Sequence, residues 1–166
     1  MATLGSSENE GGCCPKFDPA PWEDRTHRWN KKRFVVDTLP QLLHMPLPWM
    51  LRRLVARLWG KATEQGAAPP LADFLMLAYD PSPWKSEIYI AVDKEVEGVR
   101  NTTLSGSFFS KVFDGPYSSV PAYIGQVDKA LAAKGTKART YYFYFTTCPK
   151  CAKEYGHNYI VAFAET

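Results

Sequence analysis

Apolar and polar positions alternate in two rhythms along this 166-residue chain, and each change of rhythm marks an element. Over residues 47–67, Leu51, Leu54, Val55, Leu58 and Ala62 recur every three or four positions while Arg52, Arg53, Arg57 and Lys61 fill the other faces. That period predicts an amphipathic helix. Pro48 sits in its first turn, where proline is tolerated, and Gly66 with Pro69-Pro70 ends it. A second helix is predicted over 119–134, burying Val120, Tyr123, Ile124, Val127 and Leu131, capped by Ser118 or Ser119 and stopped at Gly135. Extended runs predict strands at 34–36, 74–79, 86–92, 107–113, 140–146 and 158–164. In the third of these, Ile88, Ile90 and Val92 alternate with Glu87, Tyr89 and Ala91, so one face is apolar and the other sets a carboxylate beside a phenol.

The order strand, helix, strand, strand occurs twice, with a shift of about 70 residues between matching elements, as a duplicated module would produce. Each module has one apolar sheet face and one amphipathic helix to cover it. The fold expected is therefore α+β: duplicated βαββ modules, about 33–93 and 106–165, forming an antiparallel sheet with two helices on one face and a ligand cleft on the other. A single unduplicated α+β sandwich is the alternative. Residues 1–12 have almost nothing to bury and read as a flexible tail. In 13–32, Pro15, Pro19 and Pro21 argue against regular structure, while Phe17, Trp22 and Trp29 supply anchors for an ordered arm.

Composition changes this picture little. At 45% hydrophobic, 14% aromatic and 22% charged, the chain is globular and aromatic-rich, neither disordered nor fibrous. No apolar run is long enough for a membrane helix, and the acidic, small-residue start is not a signal peptide, so the expectation is a cytoplasmic protein with no membrane partner. A net charge of +3 does not by itself imply nucleic acid. The distribution is less even: Arg25, Arg28, Lys31, Lys32, Arg33, Arg52, Arg53, Arg57 and Lys61 are opposed between 25 and 61 only by Asp37. This +8 segment is either a solvated face or an attractor of phosphates or of an anionic membrane surface.

Two short motifs bring a family into view. The run Tyr79-Asp80-Pro81-Ser82-Pro83-Trp84-Lys85-Ser86-Glu87-Ile88-Tyr89-Ile90 resembles the tyrosine-x-aspartate-proline and glutamate-isoleucine-tyrosine-isoleucine pattern of GyrI-like small-molecule-binding domains. Phe113-Asp114-Gly115-Pro116-Tyr117, leading into a helix, is similar to the glycine-proline-tyrosine turn of the same domains. The resemblance covers about 33–165. It implies an aromatic-lined pocket between the modules with a buried glutamate for flat cationic ligands, and a hydrolase branch acting on strained compounds. Glu87 and Tyr89 fall on the family motif; the run ends in Ala91-Val92 without the family's proline, and Asn158 stands where a second-module glutamate is expected.

The residues support a pocket independently. The strand containing Tyr141-Tyr142-Phe143-Tyr144-Phe145 is aromatic on both faces, and its phenols either line a wet cleft or rim a sheet core. Such a cleft favours planar or cationic ligands through stacking and cation-π contacts of about 0.5–2 kcal/mol each. The candidate ligand-binding residues are Tyr79, Trp84, Glu87, Tyr89, Tyr117, Tyr142 and Tyr144. Glu87 is the candidate catalytic residue: an apolar surround poises a carboxylate as a general base, with Tyr79, Tyr89 and Tyr144 as donors to a leaving oxygen. A surface glutamate on a half-buried strand is the plain alternative.

Four cysteines in a chain without a signal peptide argue against disulfides. Cys148-Pro-Lys-Cys151 has metal-binding spacing, and Cys13 and Cys14 complete a candidate structural zinc site, with His157 as a substitute ligand. A redox dithiol and plain thiols are the other readings. His27 and His44 stand apart in sequence from any acid or nucleophile and are given no catalytic role. Three functions follow: a stand-alone domain that sequesters a small aromatic or cationic compound, a hydrolase using Glu87 and cleft tyrosines, and, more remotely, an anion or nucleic-acid adaptor.

Overall fold

A computed structural model describes residues 17–146 and 149–166, with the side chains of 149 and 150 left aside. The architecture is mixed α+β. The strands are β1 (Arg25–Leu42), β2 (Met45–Pro46), β3 (Met76–Ser82), β4 (Lys85–Ala91), β5 (Arg100–Asp114), β6 (Thr140–Phe145) and β7 (Tyr159–Glu165). The helices are α1 (Pro48–Glu64), α2 (Val120–Ala133) and the short α3 (Pro149–Tyr155). The pairings β1–β2, β1–β4, β3–β4, β5–β7 and β6–β7 are all antiparallel. The chain divides into two compact units, one of Arg28–Ser107 and one of Phe108–Thr166 together with the N-terminal residues through His27.

In the Arg28–Ser107 unit, β4 lies between β1 and β3, with Thr38 and Tyr79 opposite Glu87, and Val36 and Leu77 opposite Tyr89. These six side chains therefore share one face. Helix α1 buries Leu54, Leu58 and Ala62, packs against β4, and pairs Arg57 with Asp37. Asp37 is opposite Ile88, so α1 covers the face of Val35, Asp37, Ile88 and Ile90 and leaves the Glu87 face free of helix. Pro48 opens α1 as expected, because its missing N–H is one that a first turn leaves unpaired anyway.

The second unit also sets a helix against one face of antiparallel strands. Helix α2 buries Tyr123, Val127 and Leu131 against Phe109, Phe113, Ile160, Ala162 and Ala164, with Tyr141, Phe143 and Phe145 packed alongside. Tyr142 and Tyr144, on the alternate positions of β6, face away from α2 and pair with Phe163 and Val161. There the N-terminal residues form a roof: Phe17 meets Tyr144 edge-on at 6.0 Å and Tyr159 at 5.7 Å, while Trp22 and His27 pack on Phe163 at 5.7 and 5.9 Å.

Four local expectations need correction. Strand β1 begins at Arg25 and takes up the last eight residues of the stretch expected to be irregular, because the prolines of that stretch end at Pro21 and no proline interrupts Arg25–Leu39. Strand β5 begins at Arg100, seven residues ahead of the strand expected at 107–113 and between the two expected modules; strand formation there follows from tertiary pairing that overrides weak local preference. Helix α3 is seven residues long, too short for periodicity to reveal. Ser119 stands at the α2 N-cap but makes no side-chain cap bond; a single 3-10 turn at Tyr117–Ser119 and Pro121 start the helix instead.

Candidate functional site

On the helix-free face of the Arg28–Ser107 unit, Glu87 is the only carboxylate among the six facing residues, and 19% of it is exposed. The Tyr89 hydroxyl donates to Glu87 Oε2 at 2.6 Å, a geometry available because residues two apart on a strand point the same way. A bond of this length fixes the carboxyl group's rotamer. Its other oxygen, Oε1, lies 3.7 Å from Arg100, whose side chain is 57% exposed. At that distance and exposure the ion pair is loose and contributes little. Phe34 meets Tyr89 edge-on at 6.1 Å, and Trp29 rests against Phe34 at 6.0 Å. The result is an acid oriented by a phenol, walled on one side by aromatic rings, with one oxygen only weakly engaged. Tyr79 is half-buried and is Glu87's cross-strand neighbour; Trp84 is 57% exposed in the β3–β4 turn. Arg100 was missed by sequence reading because it falls between the two expected modules.

The second unit holds the remaining candidates differently. Tyr142 and Tyr144 are nearly buried, Tyr142 against Phe108 at 6.2 Å and Tyr144 against Phe17. Tyr117 packs edge-on to Phe145 at 5.3 Å, on the α2 side of the sheet, so this unit does not bring it together with Tyr142 and Tyr144. Tyr141 donates to Asp128 of α2, and burial followed by that bond pushes its phenol far above the ordinary value of 10.0. The Asp114-Gly115-Pro116-Tyr117 turn is held by the residues just before β7. The Asn158 backbone N–H donates to Asp114 at 2.9 Å and its side-chain amide to the Gly115 carbonyl at 2.6 Å. His157 pairs with Asp114 at 2.6 Å. The His157 contact, then the Asn158 N–H, hold the Asp114 carboxyl below its usual 3.8. Asn158 at the position of an expected acid is thus a turn clamp.

One contact imitates a nucleophile and its base. His27 Nε2 lies 2.7 Å from Ser110 Oγ, but Ser110 is fully buried and its hydroxyl also sits 2.7 Å from the Trp22 carbonyl. A hydroxyl has one proton; donating it to Trp22 leaves Oγ to accept from an Nε2–H, the reverse of an activated serine. The pair fastens the N-terminal roof. Lys111 does the same at the rim: burial works to lower its pKa, but bonds to Glu23 and Asp24 at 3.0 and 3.1 Å outweigh it and raise it.

For the zinc expectation, Cys13, Cys14 and Cys148 lie outside the described residues. Cys151 is buried, and His157 is engaged by Asp114. Among the described residues no three potential metal ligands cluster.

The family model described as bacterial hydrolase matches residues 4–166. The chain belongs to this bacterial hydrolase family. In fold, this member of the family is similar to the crystal structure of the EcmrR C-terminal domain, with a TM-score of 0.61 at 9% identity, over 87% of this chain and 96% of that one. It is also similar to a hydrolase from Listeria innocua, TM-score 0.58 at 9% identity, over 87% and 92% of the two chains. An uncharacterized conserved protein from Listeria innocua gives 0.59 at 8% identity, over 86% and 91%. At these identities the likeness is one of fold. No curated protein matches the chain.

Proposed function

We propose that this member of the bacterial hydrolase family is a GyrI-like domain that binds a small aromatic or cationic organic compound, with Glu87 as the counter-ion. One observation carries the reading: a mostly buried carboxylate whose Oε2 is locked by Tyr89 while Oε1 has only a loose, exposed arginine 3.7 Å away. A ligand cation can displace that guanidinium and gain a charge-assisted bond, which is worth more than a neutral one. Tyr79, Tyr89 and Trp84 are the ligand-facing aromatics of this unit, and Tyr117, Tyr142 and Tyr144 remain candidates from the second. The repeated strand-helix-strand-strand order of the two units supports a duplicated module, and the two motifs around Glu87 and Gly115 support the GyrI-like assignment.

The test is a thermal-shift and fluorescence comparison of a planar cationic dye, ethidium, with a neutral planar dye of similar size. Selective binding of the cationic dye, weakened at least ten-fold by Glu87→Gln, is expected. Equal binding of both dyes, or no change in Glu87→Gln, contradicts the counter-ion role.

The family description favours a second reading, hydrolysis at the same place. Glu87, held by the Tyr89 hydroxyl, would take a proton from water as the water oxygen attacks the substrate, and the cross-strand Tyr79 hydroxyl would donate toward the substrate oxygen that gains charge. Turnover separates the readings: an enzyme loses rate in Glu87→Gln, whereas a binder returns its ligand unchanged.

A further inference from the structure

The most exposed large apolar side chains gather at one end of the Arg28–Ser107 unit. Leu42, Leu43, Met45, Leu47 and Trp49 are 51–65% exposed and fall within eight consecutive positions, and Trp84 is 57% exposed. The Gln41 N–H donates to the Trp84 carbonyl and the His44 N–H to the Pro83 carbonyl, each at 2.9 Å, so the β3–β4 turn is stitched to the β1–β2 hairpin. Among the described residues only Leu71, at 37%, is a comparably exposed large apolar side chain elsewhere. An apolar tip of this kind marks an interaction site.

The tip is also built against local preference. Leu42 pairs with Met45, and the two residues between them, Leu43 and His44, have φ of 49° and 65°. This is a two-residue turn with both centres left-handed, a place where Asn-Gly is the natural choice and a bulky leucine is strained. At 64% exposure, Leu43 gains nothing within the protein to offset the strain. Cations flank the tip. Arg52 and Arg53 are exposed one helical turn after Trp49, and exposed Lys85 follows Trp84. The acid at this end, Asp80, is engaged by His44 at 2.9 Å.

We propose that this tip docks on an anionic lipid bilayer, its leucines, Met45 and tryptophans entering the headgroup boundary while Arg52, Arg53 and Lys85 meet lipid phosphates and carboxylates. Apolar and aromatic residues beside arginine and lysine are the composition of interfacial anchors. A second copy fits less well: a twofold contact sets the same cations against themselves. Among the described residues no helix is long and apolar enough to cross a membrane. Trp84 apart, which both readings use, the proposal is independent of the Glu87 reading.

Vesicle flotation of the full chain tests it, using phosphatidylcholine vesicles with and without about one-third phosphatidylserine. The chain should float with the anionic vesicles, much less with the neutral ones, and lose binding as salt rises. Replacing both Arg52 and Arg53 by Gln should lower partitioning roughly 25-fold, since each basic residue near such a surface is worth about five-fold. Leu43→Asn is the decisive variant: it should weaken flotation while leaving Tm unchanged or higher, because asparagine suits positive φ. Failure to float, equal binding to neutral vesicles, or a Leu43→Asn variant that floats like the wild type overturns the proposal. So does a dimer in light scattering that Leu43→Asn dissolves, in a chain that ignores vesicles.

Discussion

The two helix-free sheet faces start from similar material and end differently. In the second unit the face of Tyr142, Tyr144 and Phe163 is roofed by Phe17, Trp22 and His27 and pinned by the buried Ser110 hydroxyl. In the Arg28–Ser107 unit the corresponding face keeps an ionisable group, Glu87, one oxygen of which is held by Tyr89 while the other is only loosely engaged by Arg100. Aromatic rings thus go to packing in one unit and to orienting a carboxylate in the other. Counting tyrosines does not distinguish these fates; what covers each face does.

The largest effects should come from breaking the roofed face. Phe163 is fully buried between Trp22 and His27, and Phe163→Ala should cost about 3–5 kcal/mol in urea unfolding. By contrast Glu87→Gln, which keeps the size and one acceptor of the side chain, should change stability by no more than about 1 kcal/mol. Comparable losses at the two positions would dissolve the distinction drawn here.

Next is the turn that begins α2. A Cβ at Gly115 would overlap the Tyr123 hydroxyl, and that ring is held by stacking on Phe113 at 4.3 Å. Gly115→Ala should cost about 1–3 kcal/mol. Removing the hydroxyl in Gly115→Ala/Tyr123→Phe should recover most of the loss, and a double variant no better than the single one would refute the clash.

A smaller effect belongs to Asp114. Its folded pKa is depressed below 3.8 by His157 and the Asn158 N–H, so its stabilisation is present above about pH 4 and is lost as pH falls through the folded value. Wild type and Asp114→Asn should differ in Tm at pH 6, and the difference should shrink as pH falls below the ordinary carboxylate range; a constant offset as pH falls would show that the charge is not what matters. The group is 44% exposed, which keeps the effect modest. Least in energy but sharp in signal, Tyr141 should resist ionisation in the folded protein. Ultraviolet titration should find one fewer resistant phenol in Tyr141→Phe than in the wild type.

Much of this was legible in the sequence. The spacing of Leu54, Leu58 and Ala62 located α1, and the alternation through Ile88 and Ile90 placed Glu87 beside Tyr89 on the face opposite. Both are local patterns that follow from the geometry of one element. What escaped depends on distant pairing: the strand character of Arg100–Ser105, and hence Arg100 beside Glu87, and the role of Asn158 as a clamp on a turn 43 residues earlier. The aromatic run of β6 announced rings on both faces but could not tell that Phe17 and Phe108 would pack against Tyr144 and Tyr142. Leu43 and Met45 read as ordinary apolar residues because periodicity carries no record of exposure.

The central claim is that Oε1 of Glu87 is the ligand's counter-ion and Arg100 its placeholder. The direct measurement is a titration of Arg100→Ala, Glu87→Gln and wild-type protein with ethidium at one salt concentration. The account predicts tighter binding than wild type in Arg100→Ala, because the competing guanidinium is gone, and at least ten-fold weaker binding in Glu87→Gln. Arg100→Ala binding more weakly than wild type, or Glu87→Gln binding as well, would contradict it.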